Sequence, residues 1–313
     1  MNTILFNEDT GLLRSGWRAA IFLFAFVLAA VFLGSMGQGV VILLKTIGYE
    51  SPAVFFTTGA IFSLIPTILV GWLSGKFLER LPYRALGASL TKGWSKHFIL
   101  GLIGGSLALA MAAGIGMAVG SFRFVANDAS MTQIVNSAAV SFGVFAVAAA
   151  FEEAFFHGYL LQTFVRSNLR WFGVLLTSIL FGVAHTDNPS ANLISTANTI
   201  LAGVWFGVAY LRTRDLWFVW GLHLMWNWMQ GSFFGIEVSG LTDITTNPIF
   251  KEIDFGPTWL TGQAYGIEGG ILCTVAILIS IGIVYLMPGL TPDEAVLAAN
   301  TREDPEQTTP LGS

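Results

Sequence analysis

A chain of 313 residues in which 54% are hydrophobic and only 11% charged has too few polar side chains to coat a water-soluble globule. The net charge of -4 is mild and comes largely from the C-terminal tail, so no basic surface exists for nucleic acid and none is expected as a partner. The single cysteine, Cys273, excludes an intrachain disulfide and gives no sign of redox chemistry.

Spanning a bilayer core as a helix takes roughly 20 apolar residues. Arg14 and Arg18 precede an uncharged run over 19–44, too long for the core of a cleaved signal, so it reads as a retained first helix. Uncharged apolar windows then predict eight spans, near 17–44, 52–75, 97–120, 134–165, 171–186, 193–211, 216–234 and 267–287. The expected fold is all-α, a polytopic transmembrane helix bundle forming one domain over 1–290, with a flexible tail over 291–313. Placing the N-terminus in the cytoplasm leaves only Lys45, Arg123 and Lys251 outside among the 15 basic residues, as the bias of positive charge toward cytoplasmic loops requires. A multi-pass protein of the cytoplasmic (inner) membrane follows. Gly101 with Gly105, Gly203 with Gly207 and Gly266 with Gly270 stand one turn apart and read as helix-packing pairs. Residues 235–266 mix Ser, Thr, Pro and acids and read as an external loop.

In so apolar a chain the informative residues are ionisable groups inside spans, since each is costly unless paired or facing a wet cavity. The fourth span holds Glu152, Glu153 and His157 among alanines and phenylalanines. Neighbouring helix positions diverge by about 100°, so the two carboxylates take different faces, whereas Glu153 and His157 share one. The fifth span ends Phe181 to His185, and the seventh places His223 and Asn227 one turn apart. At about 1.5 Å per residue, Glu152, His185 and Asn227 come to similar depths, roughly 18, 22 and 17 Å from the cytoplasmic helix ends, with His223 shallower at roughly 11 Å. Such a set supports hydrolysis: Glu152 with His185 activates water, and His223 with Asn227 supplies donors to an oxyanion. Glu153 is left to orient a neighbour such as His157. His97 and Glu268, at the starts of their spans, are expected at the interfaces and receive no role.

These residues resemble the CAAX prenyl protease and bacteriocin-processing family of intramembrane proteases, also called the Abi or CPBP family. Its pattern of Glu-Glu-x-x-x-Arg, Phe-x-x-x-His and His-x-x-x-Asn or Asp is matched in order by Glu152-Glu153, Phe181 to His185 and His223 to Asn227, over about residues 134–234. His157 stands where the family has arginine: if the position only orients Glu153, one hydrogen bond from His157 serves, and if it binds substrate or fixes an essential charge, activity is reduced or lost, because histidine cannot copy a guanidinium fork. The resemblance implies an intramembrane endopeptidase in which Glu152 and His185 activate water and His223 and Asn227 stabilise the oxyanion. The family is often labelled metalloprotease, and Glu152, His185 and His223 are the three side chains that would hold a divalent ion such as zinc. A Glu and His pair also activates water unaided, so no obligatory cofactor is expected. The expected partners are the lipid bilayer and a hydrophobic or lipid-modified peptide. Two other readings stand beside this one: a proton- or cation-coupled transporter, and a non-proteolytic family member serving as a scaffold or immunity factor.

Overall fold

A computed structural model of the protein describes residues 4–300. Its first two helices, α1 (Ser15–Thr46) and α2 (Pro52–Glu79), pack side by side. Proline at the first position of α2 suits a helix start, where its missing N–H would have no partner. Much of α1 faces outward with apolar groups; Phe24, Phe32 and Ile42 are each more than 60% exposed. A surface of that kind is stable against lipid tails rather than water.

α3 (Trp94–Ala118) follows, then strand β1 (Phe122–Ala126) and α4 (Met131–Glu153). A reciprocal capping box starts α4, with Ser130 accepting from the Gln133 backbone N–H and Gln133 from that of Ser130. The helix runs into a π-helical turn, Ala154–Leu160, and a short α5 (Leu161–Val165). Next come α6 (Arg170–Ala184), α7 (Leu193–Thr213) and α8 (Leu216–Trp228), which passes into a second π-helical turn, Met229–Phe233.

Residues 235–266, expected as an external loop, contain strand β2 (Phe250–Asp254) and a one-turn α9 (Thr258–Thr261). β2 pairs antiparallel with β1 from Phe122 opposite Asp254 to Ala126 opposite Phe250. α10 (Ile271–Leu286) completes the bundle. Within the stretch expected to form a flexible tail, α11 (Glu294–Asn300) is helical, with Val296 buried and Asp293 accepting from the Gly93 N–H at 2.9 Å. The rest of that stretch, 301–313, lies outside the described residues.

Every expected span window contains a helix, and among the described residues five helices are long and apolar enough to cross a membrane: α1, α2, α3, the continuous stretch Met131–Val165, and α7. α6 and α10 are apolar but have 15 and 16 residues, and α8 has 13.

Two helix crossings position the site. At the first, α3 and α8 approach until a Cβ on Gly101 or Gly105 would strike the carbonyl oxygen of Phe218 or Leu222, while Gly221 leaves matching room for Phe98. At the second, Gly203 and Gly207 of α7 lie against Ser178 and Val174 of α6. The third expected pair is not a helix face. Gly266 and Gly270 precede α10, and Gly266 adopts φ +86° where any Cβ would meet the Glu237 carbonyl. His97, expected at an interface without a role, is buried, its Nδ1 2.5 Å from Asp215 Oδ2. Asp215 also caps α8 through the Trp217 N–H, so this pair pins the start of the helix that carries His223.

Candidate active site

Glu152 and Glu153 close α4 and point apart, as adjacent helical positions must. Glu152 lines a cavity of about 420 Å³, whereas Glu153 turns into the protein and is 1% exposed. Immediately beyond them the helix widens into its π turn, broken at Gly158 by ψ -123°. Irregular turns of this kind recur where side chains are re-aimed for function. His157, inside the turn, still reaches back, with Nδ1 2.6 Å from Glu153 Oε2. The other oxygen of Glu153 accepts from His223 Nδ1 at 2.7 Å. One buried carboxylate therefore holds two imidazoles and ties the end of α4 to the middle of α8.

His185 follows the last residue of α6, and its Nδ1 lies 2.7 Å from the Phe181 carbonyl oxygen. A carbonyl only accepts, so Nδ1 carries a proton and Nε2 is the ring nitrogen left to face the cavity. Glu153 likewise holds the Nδ1 proton of His223. Both Nε2 atoms turn toward Glu152 Oε2, at 3.9 Å from His185 and 3.7 Å from His223. Those separations are too long for direct hydrogen bonds, so the carboxylate oxygen keeps acceptor capacity toward the cavity. Phe206 stacks on His223 with centroids 4.7 Å apart, and Phe181 stands 4.7 Å from His185, which limits the tilt of both rings. Asn227, one turn beyond His223, lines the same cavity.

Side chains from α4, α6 and α8 thus meet at one cavity wall, with Glu153 and His157 buried behind it. Residues 134–229 match the family model described as type II CAAX prenyl endopeptidase Rce1-like. This segment is similar to that family. It contains Glu152, Glu153, His157, His185, His223 and Asn227, and agrees with the family resemblance seen in the sequence. No curated protein matches the chain.

The cavity reaches beyond the matched segment. Glu268, read from the sequence as an interfacial residue, lines it just ahead of α10. Its Oε1 accepts from Trp226 Nε1 at 3.0 Å, and its Oε2 accepts from the N–H and Oγ of Ser239 at 2.8 and 2.7 Å. The sequence holds a weak signal for this placement: a carboxylate embedded in the apolar, glycine-rich run that leads into the last span. Ser239 and Val238 bring the 235–266 segment to the cavity wall as well.

Each imidazole donates its Nδ1 proton to an oxygen, which is the outer-shell arrangement common to metal-binding histidines. The donors nevertheless stand apart from a ligand set. Neighbouring ligands of a tetrahedral zinc at about 2.0 Å lie roughly 3.3 Å from one another, closer than the 3.7 and 3.9 Å separations here. Among the described residues no group of three or more His, Cys, Asp or Glu converges as metal ligands do.

Proposed function

We propose that this protein is an intramembrane endopeptidase that hydrolyses a hydrophobic or lipid-modified peptide, using Glu152 and His185 to activate water. The observation that carries this reading is the facing of two imidazole Nε2 atoms toward one accessible carboxylate oxygen inside an aromatic cavity. The Rce1-like match supports the same reaction class. We further propose eight membrane segments with a cytoplasmic N-terminus, the three short helices completing the bundle around the site.

In this mechanism a water enters between Glu152 and His185. One of its protons passes to this pair while its oxygen attacks the scissile carbonyl carbon. The oxyanion that forms is met by the Asn227 carboxamide and by His223 Nε2–H. Because Glu153 already takes the Nδ1 proton, His223 donates from Nε2 only as an imidazolium, and Glu153 is its counter-ion. The proton held by Glu152 and His185 then passes to the amide nitrogen, the C–N bond breaks, and a carboxylate and an amine leave. His157 holds the second oxygen of Glu153 and so fixes the direction of the first.

The test is purified protein in detergent with internally quenched hydrophobic peptides, prenylated and unmodified. Cleavage is expected from the native chain and a loss of about 10²-fold or more in kcat from Glu152→Ala or His185→Ala. Unchanged cleavage in either variant would remove that residue from the mechanism. Metal analysis of the active preparation is expected to find no stoichiometric divalent ion; an equivalent of zinc lost together with activity on chelation would replace this scheme with a metal-assisted one.

A further inference from the structure

The cavity carries a second carboxylate that hydrolysis does not use. Glu268 is held from three directions, by Trp226 of α8 and by the backbone and hydroxyl of Ser239, all neutral donors. Its own backbone carbonyl accepts from Asn198 of α7 at 2.8 Å, which fixes the residue at its other end. Among the described residues no Lys, Arg or His makes an ion pair with it, and no Lys or Arg lines the cavity. A carboxylate offers about four lone-pair sites, of which three are occupied, leaving one to the cavity. An anchored acid on this wall, which also carries Glu152 and has no Lys or Arg, disfavours an anion and favours a cation.

We propose that Glu268 is a specificity subsite that binds a cationic group of the peptide substrate, a lysine or arginine side chain or an N-terminal ammonium, near the scissile bond. This rests on the hydrolytic reading for its context but makes a separate claim about recognition. Its three hydrogen bonds hold the carboxylate ready, so that little is lost in ordering it when substrate arrives. The subsite lies outside the Rce1-like segment, and so its preference belongs to this chain's own 235–270 region.

The experiment uses quenched hydrophobic peptides with one lysine moved through successive positions, each paired with glutamine and glutamate versions. The native chain is expected to cleave the lysine form at one position at least about tenfold more efficiently, in kcat/KM, than its glutamine partner, and the glutamate form least well. In Glu268→Gln the lysine-to-glutamine ratio is expected to fall to near one. A ratio that survives the substitution, or an equal loss on all three peptides as a purely structural clamp would give, overturns the proposal. Binding of the same peptides to Glu152→Ala and to Glu152→Ala/Glu268→Gln separates the two claims. A lysine preference in binding that needs Glu268, without cleavage by the native chain, keeps the subsite and rejects the protease; no preference in either assay rejects the subsite.

Discussion

In the proposed mechanism Asn227 and His223 meet the same oxyanion at different cost to the protein. Both are assigned to the oxyanion, but His223 is also bonded to Glu153, while Asn227 only lines the cavity. Asn227→Ala is therefore expected to lower kcat by about 10²- to 10³-fold with little change in thermal stability. His157→Ala, by contrast, removes a buried hydrogen bond to a carboxylate and is expected to cost about 1.5–3 kcal/mol, read as a lower unfolding temperature in detergent, with reduced kcat. An Asn227→Ala protein that unfolds early, or a His157→Ala protein as stable as the parent, would contradict these assignments. At this scale the sequence was informative where ionisable groups fell within or at the inner end of an apolar span: Glu152, Glu153, His185 and His223 come together in the structure. It failed for His97 and Glu268, because a polar residue near a helix start is ordinarily interfacial and only tertiary packing turns it inward. His97 finds Asp215, 118 positions away, and Glu268 finds Trp226 and Ser239.

At the scale of elements, the helices follow from hydropathy and capping, whereas the β1–β2 pair had no such signal. Each strand has five residues, and their pairing joins segments more than a hundred residues apart, which local patterning does not report. That sheet carries a titration. Burial raises the Glu252 carboxyl to about 8, and the neighbouring Glu237 and Asp254 add to the rise. A folded-state value above the ordinary 4.5 means the folded form binds the proton more tightly, so its stabilising share is complete at low pH. It is lost as pH rises through about 8. Glu252→Gln is expected to flatten the fall in unfolding temperature between mildly acidic and alkaline buffer. Parallel curves for the two proteins would show that Glu252 does not couple to folding. The π turns after Glu153 and after Trp228 were likewise invisible to a 3.6-residue pattern, although each adjoins the site.

Across the whole molecule, three separated segments meet at one buried carboxylate. Glu79 at the end of α2 pairs with Arg18 of α1 at 2.5 Å and with Arg166, just after α5, through two contacts of 2.9 Å. Arg166 also donates to Asn300, which draws α11 onto the bundle. Charge bias alone places Arg18 and Arg166 on one side of the membrane, and their meeting on one acid agrees with that. The bias gives no hint, however, that they are buried, because counting charges treats every arginine near a span as solvated. Glu79→Ala removes the carboxylate that pairs with two buried guanidinium groups and is expected to cost about 3–5 kcal/mol, measured by thermal or denaturant unfolding in detergent; a change under about 1 kcal/mol, the scale of an exposed pair, would mean the cluster is solvated.

In the proposed hydrolysis, water bound beside Glu152 attacks a peptide carbonyl. Membrane peptide extracts incubated with the native chain or Glu152→Gln in ¹⁸O-labelled water, then read by mass spectrometry, test it most directly. New peptides carrying one ¹⁸O in the fresh C-terminal carboxyl group should appear with the native chain and be absent with Glu152→Gln. Labelled products at equal rates from both proteins, or none from the native chain, would contradict the account.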